Sequence, residues 1–161
     1  MRIIKLALIS AIFFFLLLTA ISSLVPSTVR LSKAINIGAA KEDILSLVSD
    51  TTAWKEWHPG FRNSNRQAAS APQILPVSKS DSLIIMQLNR PGKNPVLNGW
   101  QVYQYASTDS ITIQWYMDFQ LQWYPWQKFG SLFYENTYGT MMQQGLAAIK
   151  ELAEKQSNEV Q

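Results

Sequence analysis

The feature that most constrains the fold is an alternation of side chains that begins at Ile111. Apolar residues occupy every second position as far as Trp123, and the positions between them are polar or tyrosine. A period of two residues is typical of a β-strand with one buried face. At ~3.3 Å per residue this strand would extend about 45 Å, so we expect it to bend or to carry a bulge.

Shorter strand patterns precede this run. Leu83–Asn89 and Trp100–Tyr105 are predicted strands, and the Pro-, Gly- and Asn-rich stretch at 90–98 is the predicted turn between them. The polar residues Ser107–Ser110 predict a second turn. Together they indicate an antiparallel sheet.

Two less regular stretches complete the strand prediction. Val29–Ile37 alternates loosely, which predicts an opening strand with a slip near Ala34. The Ala-, Ser- and Pro-rich residues 67–76 predict a loop, with a short strand at Ile74–Val77.

Helical periodicity occurs in three places. Ala39–Ser49 has apolar residues at helical spacing, and a short helix is predicted at Thr52–Trp57, where Pro59 and Gly60 are expected to end it. After Pro125 the same period predicts one long helix from about Trp126 to Lys155. Its glycines cost about 1 kcal/mol each relative to alanine. They would let another element, or a ligand, approach the helix backbone closely.

The order of these elements predicts an α+β domain. Strands and helices are segregated along the chain, which favours a helix packed across an antiparallel sheet. We expect this domain at residues 29–155, an N-terminal transmembrane anchor at 1–26 and a disordered tail at 156–161.

The N-terminus carries the predicted membrane segment. Leu6–Val25 has no charged residue, and about 20 apolar residues in a helix span a hydrocarbon core of about 30 Å. A cleaved signal peptide is the alternative, but its apolar centre is usually about 7–15 residues, and Ser22–Pro26 matches a cleavage site poorly. We therefore expect a single-pass membrane protein.

The basic residues beside this segment bear on its orientation. Arg2 and Lys5 precede it, while Arg30 and Lys33 follow it closely. The positive-inside rule then favours a cytoplasmic tail and an extracytoplasmic domain.

Composition excludes several kinds of site. The 161 residues include no cysteine and one histidine, so disulfides, thiolate zinc sites and multi-histidine metal sites are impossible. Arg2 and Lys5 belong to the tail, which leaves 12 of the 14 basic residues against 11 acidic ones. No basic run remains that could bind nucleic acid. No phosphate-binding loop or hydrolase motif is present, and we expect neither a metal nor a cofactor.

Three stretches resemble a known family. They are Ser32–Trp57, which runs from strand to helix and ends in Trp-Lys-Glu-Trp; Trp123–Trp126, a strand ending in a Pro-Trp step; and Gly145–Leu152 in the final helix. Together they resemble a START-like domain of the polyketide cyclase/dehydrase and lipid-transport superfamily (SRPBCC), over roughly Val29–Glu154. These motifs are moderately specific. The family usually has six or seven strands, whereas five are predicted here.

The resemblance implies a helix-grip fold with an apolar cavity between a curved sheet and the long C-terminal helix. Such cavities hold lipids, sterols, polyketides or similar molecules. The family has no common catalytic residue, so none is assigned. Plain core packing is the alternative for each predicted lining residue: Trp100, Trp115, Met117, Phe119, Leu121, Met142 and Leu146.

Two polar residues are candidates for the same cavity. His58 is the only histidine, and a general base would need a partner that the sequence does not identify; a turn residue with a local hydrogen bond is the alternative we favour. Asp118 lies on the polar face of the long strand, where we favour a solvated carboxylate over a cavity group with a raised pKa.

Other residues have two interpretations as well. Trp123, Tyr124 and Trp126 could form an aromatic belt at the membrane interface, although packing is favoured. The cations of the turn Arg90–Lys93 are interpreted as solvated rather than anion-binding.

Three functions remain open. The first is a membrane-anchored module that binds a lipid or other hydrophobic small molecule without chemistry, which we favour. The second is a cyclase- or hydrolase-like enzyme acting on an apolar ligand. The third is a regulatory module with a filled core that acts through its surface, and it predicts no pocket above about 300 Å³.

Overall fold

The computed structural model describes residues 2–62, 72–105 and 110–159. An N-terminal helix, α1, is followed by a five-stranded sheet, short helices and a long C-terminal helix. The strands are β1 (Thr28–Ile37), β2 (Gln73–Lys79), β3 (Leu83–Asn89), β4 (Val96–Gln104) and β5 (Ile111–Gln120). The helices are α1 (Arg2–Ser22), α2 (Lys41–Ser49), α3 (Trp54–Trp57), α4 (Pro59–Arg62), α5 (Pro125–Ser131) and α6 (Thr140–Glu159), with a π-helical turn at Glu135–Gly139.

The sheet is antiparallel throughout, with the strand order β1-β5-β4-β3-β2. The inner face of the sheet is covered by α6 and by the short helices α2–α4. The predicted α+β fold, a sheet held against a long C-terminal helix, is therefore confirmed. The short strand predicted at Ile74–Val77 is also confirmed as part of β2. Pro76 lies beside a register shift on this edge strand, where a missing N–H is tolerated.

The first strand is more regular than predicted. β1 pairs with β5 from Thr28 opposite Gln120 to Ile37 opposite Ile111 without a shift in register, so the predicted slip near Ala34 is wrong. The alternation places Lys33 in the inward set instead of Ala34. Its ammonium makes an ion pair with Glu135 in the π-helical turn. This ion pair compensates the charge of a lysine at a position where the alternation alone would predict an apolar residue.

The long alternating run is shorter as a strand than predicted. β5 ends at Gln120, where its partner β1 begins. The next backbone N–H, that of Leu121, donates to the Ser27 carbonyl at 2.7 Å. Pro125 then begins α5. The alternation continues beyond the sheet, but Trp123 is mostly exposed. Periodicity in the sequence does not report where the neighbouring strand stops.

The C-terminal helix is interrupted, contrary to the prediction of one helix from Trp126 to Lys155. α5 ends at Ser131, and α6 begins only at Thr140, after the π-helical turn. An added Cβ at Gly139 would lie 2.9 Å from Glu135 Oε1, so a larger residue there would displace the carboxylate that pairs with Lys33. At its other end α6 extends to Glu159, so residues 156–159 are helical rather than part of a disordered tail.

Other predicted boundaries also differ. β4 begins at Val96, earlier than the predicted Trp100. α3 ends at Trp57, as predicted, but begins at Trp54 rather than at Thr52. Pro59 then begins a second short helix, α4, because proline is well suited to the first helical position. The predicted turn at 107–109 and the first part of the predicted loop, 67–71, lie outside the described residues.

The N-terminal helix α1 projects from the domain. It is 21 residues long, with a mean hydropathy of 2.5 over its most apolar window, and no residue of that window is buried by the rest of the described structure. In the described part of the chain it is the one helix long and apolar enough to cross a membrane. A signal sequence has the same properties.

The core lies between the inner face of the sheet and α6. Gly145 of α6 faces Trp115 of β5, and an added Cβ at Gly145 would lie 2.8 Å from Trp115 Cζ3 and 3.4 Å from Pro59 Cδ. The predicted close approach to a glycine of this helix is therefore made by a tryptophan.

This contact predicts the effect of Gly145→Ala. Alanine favours a helix by up to about 1 kcal/mol, but its methyl group would overlap a fully buried ring, and overpacking costs typically about 1–3 kcal/mol. We expect a net loss in the free energy of unfolding, measured by urea denaturation of the full chain in mild detergent. Gly130→Ala is the matched control, because nothing lies within 4 Å of its added Cβ; equal stabilisation by both substitutions would contradict the prediction.

Candidate functional site

Aromatic rings fill the middle of the domain. Trp54, Trp57, Trp100 and Trp115 are each at most 1% exposed. Their ring centroids lie 5.3 Å apart for Trp54 and Trp100, 5.5 Å for Trp100 and Trp115, and 5.7 Å for Trp57 and Trp115. These are packing distances for aromatic pairs. The indole N–H groups of Trp54 and Trp57 donate to the carbonyls of Val48 and Leu47, which ties α3 to α2.

Most of the predicted cavity residues belong to this core. They are buried in one hydrophobic cluster with the tryptophans. These residues are Trp100, Trp115, Met117, Met142 and Leu146. Phe119 belongs to the same cluster, and together with the last candidate, Leu121, it lines a pocket at one end of the sheet.

This pocket, called here the end pocket, has a volume of about 330 Å³. It lies where β4 begins and β5 ends, beside the π-helical turn. Phe119, Tyr134 and Tyr138 form its aromatic wall, with both tyrosine ring centroids 4.8 Å from that of Phe119. Arg90 and Lys93, from the turn before β4, contribute cations to the lining, together with polar residues such as Gln122 and Gln127.

Both cations of the end pocket are available to a ligand. Neither Arg90 nor Lys93 makes an ion pair with any carboxylate among residues 2–62, 72–105 and 110–159. The Nε of Arg90 is buried and has no acceptor in that part of the chain. Burial raises the pKa of Tyr134, and the nearby charge of Arg90 opposes this shift.

Two more buried N–H groups lie on β4, the strand that follows Arg90 in the chain. Asn98 Nδ2 and Trp100 Nε1 have no acceptor within the described structure, although Asn98 Oδ1 accepts from Trp115 Nε1 at 3.2 Å. Val96 lines the end pocket, and Asn98 and Trp100 follow it on the same face of β4 at steps of about 6.6 Å. Unpaired buried groups are rare in native proteins and are usually matched by a water or a ligand. Here all three are donors, so the matching atoms would be acceptors.

The only histidine belongs to the aromatic core. His58 is 4% exposed and stacks on Trp54 with ring centroids 5.5 Å apart. Its Nδ1 accepts the Gly60 N–H at 3.0 Å, a local hydrogen bond within the turn. Burial lowers the pKa of His58 to about 4, so the ring is neutral at physiological pH.

Asp118 lies on the outer face of the sheet. Its carboxylate accepts from Nε and NH2 of Arg30, each at 2.6 Å, and the guanidinium stacks 4.3 Å from the centroid of the Tyr116 ring. The carboxylate therefore faces away from the end pocket, in a surface ion pair.

A second cavity, of about 420 Å³, lies at the opposite end of the sheet near Gly38 and Gln104. Its lysine, Lys41, is paired with Asp81 at 2.6 Å. Its other charged lining residue is the acidic Glu42, so among the described residues this cavity has no unpaired cation of the kind that distinguishes the end pocket.

The described residues contain no group of three His, Cys, Asp or Glu side chains that could hold a metal ion. What the end pocket offers is an aromatic wall, amide groups and two cations. That arrangement can bind and orient an amphiphilic molecule with an acceptor-rich end.

The sequence prediction included Phe119 and Leu121 of the end pocket but not its two tyrosines, and it did not place Arg90 and Lys93 in a pocket. Tyr134 and Tyr138 are four residues apart, a spacing that places two side chains on one face of a helix and that could have identified them as a pair. Arg90 and Lys93 were interpreted as solvated, because a turn in the sequence does not report which residues it faces.

The burial of His58 predicts a pH dependence of stability. Its folded pKa, about 4, is below the ordinary value of 6.5. The unfolded chain therefore binds more protons between these values, and the stabilisation is present above pH 6.5 and lost as the pH falls toward 4. We expect a loss of about 2 kcal/mol from this group, measured by urea denaturation between pH 7 and pH 4.5. His58→Gln should show a flatter profile over this range; an unchanged profile would contradict the prediction.

No family model matches the sequence, and no curated protein matches it. Solved structures are similar in fold at low identity. The di-domain ARO/CYC StfQ from the steffimycin biosynthetic pathway has a TM-score of 0.61 and 10% identity over 81% of this chain and 52% of its own, so the chain spans about half the length of StfQ. A protein of unknown function from Staphylococcus aureus has a TM-score of 0.58 and 9% identity, over 81% of this chain and 98% of its own. Protein CV1439 from Chromobacterium violaceum has a TM-score of 0.55 and 14% identity, over 80% and 98%. The chain therefore has the START-like, helix-grip fold that its sequence resemblance implied.

Proposed function

We propose that the protein is a membrane-anchored START-like module that binds a hydrophobic small molecule with an acidic end, without transforming it. The ligand would occupy the end pocket, with its apolar part against the wall formed by Phe119, Tyr134 and Tyr138. Its acidic group would be held by Arg90 and Lys93. Met117 and the other predicted cavity residues of the core would pack behind this aromatic wall and support it.

The observation that carries this proposal is the set of unpaired donors. Arg90 Nε is buried without an acceptor, and the end pocket contains a second cation without a carboxylate partner in the described structure. A buried donor without an acceptor costs about 1–3 kcal/mol. An acidic ligand would supply charge-assisted hydrogen bonds to the guanidinium, and these are about twice as strong as neutral ones.

The fold supports a binding role only in general terms. One of its structural relatives is an ARO/CYC protein of a biosynthetic pathway, but that protein is about twice as long and shares 10% identity with this chain. The end pocket is near the lower limit of ~300 Å³ for small-molecule sites, so a short or partly enclosed ligand fits better than a sterol.

The membrane anchor is supported by α1. Its 21 apolar-rich residues extend about 31 Å at 1.5 Å per residue, which matches a hydrocarbon core of about 30 Å. Retention of α1 would keep the end pocket beside lipid. The charge bias noted for Arg2 and Lys5 favours an extracytoplasmic domain.

No observation favours chemistry in the end pocket. His58 is neutral, buried among aromatic rings and bonded to Gly60, and Asp118 is paired with Arg30 on the opposite face of the sheet. A general acid or base would have to approach the ligand within hydrogen-bond distance. Binding without catalysis is therefore the better-supported role.

A second candidate function is a module that acts through its surface. The filled tryptophan core favours it, because the interior that holds ligands in other helix-grip proteins is occupied here by Trp54, Trp57, Trp100 and Trp115. Ligand binding to the end pocket separates the two functions.

Filling the end pocket should abolish binding. Gln122 is exposed and lines the pocket, where its amide N–H donates to Asn94 Oδ1 at 3.3 Å, so Gln122→Trp would occupy the pocket without disturbing the core. We expect the full chain in mild detergent to form a one-to-one complex with lauric acid in native mass spectrometry, and Gln122→Trp to lose it. Gln143→Trp, at an exposed position of α6 outside the end pocket, is the matched control. Absence of a complex with lauric acid and with longer fatty acids would favour the surface-acting module.

Removing the positive charge of Arg90 should weaken the binding of acidic ligands selectively. Arg90→Gln keeps a polar side chain but removes the charge, and a hydrogen bond to a charged group contributes about 1.5–3 kcal/mol. We expect the affinity for lauric acid to fall by about tenfold or more and the weaker affinity for dodecanol to change little. An equal loss for both ligands would indicate that Arg90 acts through the structure rather than through charge.

A further inference from the structure

An exposed apolar surface lies where α1 joins the domain. Its five large side chains, called here the α5 surface, are between 61% and 83% exposed. They are Leu24, Trp123, Trp126, Leu132 and Phe133. Tyr124 extends this surface, because its ring stacks on Trp126 with centroids 4.8 Å apart. Large exposed apolar side chains concentrated in and around one short helix indicate an interaction site.

The α5 surface is fixed to the end of α1. The ammonium of Lys128, in the middle of α5, is turned inward and only 5% of the residue is exposed. It donates to the Val25 carbonyl at 2.5 Å and lies 3.4 Å from Ser27 Oγ. The Leu121 N–H donates to the Ser27 carbonyl at 2.7 Å. The short link between α1 and β1 is therefore held by two contacts to α5 and by one to Leu121, just beyond β5, and α5 cannot leave this link without breaking the Lys128 contacts.

These contacts set the depth of the α5 surface relative to α1. If α1 spans the hydrocarbon core, Ser22 lies at its edge, and Leu24 and α5 then lie at the boundary between acyl chains and headgroups. Tryptophan and tyrosine are enriched at that level because their rings are apolar with one polar group. Lys128 is the only charged residue between Leu121 and Tyr134, and its charge is turned away from the surface.

We propose that the α5 surface inserts into the interface of the same bilayer that α1 spans, on the side from which the domain emerges. This inference rests on the proposed membrane anchor and goes beyond it, because a tether alone would leave the domain free to rotate. Insertion would place Leu121 and Gln127, which line the end pocket, at the level of the lipid headgroups. The pocket would then open directly to the membrane surface.

The absence of cysteine allows a direct test. Single substitutions Trp126→Cys and Phe133→Cys, each at an exposed position, can carry a nitrobenzoxadiazole label in the full chain, reconstituted into phosphatidylcholine vesicles. Tyr105→Cys is the matched control, since Tyr105 is 59% exposed and lies just beyond β4 at the opposite end of the sheet. Nine steps of β1 separate the two ends by about 30 Å.

Lipids carrying a nitroxide near the headgroup should quench the labels at positions 126 and 133 at least about fivefold more strongly than the label at position 105, as expected for groups at the interface. Equal quenching at all three positions, with the chain retained in the vesicles after alkaline carbonate washing, would overturn the insertion proposal and leave the anchor intact. Release of the chain by this washing would overturn the anchor itself. Disulfide-linked dimers of unlabelled Phe133→Cys, with a label at 133 shielded from nitroxide, would assign the surface to a second copy and overturn insertion.

Discussion

The contact between Trp115 and Gly145 determines how closely the sheet and the long helix approach each other. Because Gly145 has no side chain, the edge of the Trp115 ring comes within 2.8 Å of the position that a Cβ would occupy, and the helix packs directly on the indole. Trp57, Trp100 and His58 surround this ring, and Trp54 packs against all three of them. The interior of the fold is thereby filled by rings rather than left as a cavity.

Because aromatic rings fill the middle of the domain, the pocket that a ligand could enter lies at the end of the sheet. There the chain turns from β5 into α5 and reaches α6 through the π-helical turn, so the long helix does not cover the last residues of β5. Lys33 and Glu135 hold this turn against β1. The resulting recess has aromatic residues on one side and unpaired cations on another, unlike the interior, where nearly every group is apolar. This difference is why we assign ligand recognition to the end pocket.

The sequence predicted elements better than it predicted their ends. The alternation from Ile111 correctly indicated a half-buried strand, but its last residues left the sheet because β1 offers no partner beyond Thr28. The slip near Ala34 was predicted from a loose apolar alternation, whereas in the structure Lys33 holds the inward position and pairs with Glu135. The helix after Pro125 was predicted as one piece, since Gly139 and its neighbours carry no strong stop signal. Of the end pocket, Phe119 and Leu121 were among the predicted residues, whereas both tyrosines were not.

By itself the sequence determined the fold class and the apolar N-terminal helix, because periodicity and hydropathy are properties of adjacent residues. It also excluded thiol and multi-histidine sites through composition alone. Only the tertiary structure decided that Trp100 and Trp115 pack together, that Asp118 faces outward to Arg30, and that Arg90 lies beside Tyr134. Each of these depends on strand register and on the crossing of α6 over the sheet, which join residues distant in sequence.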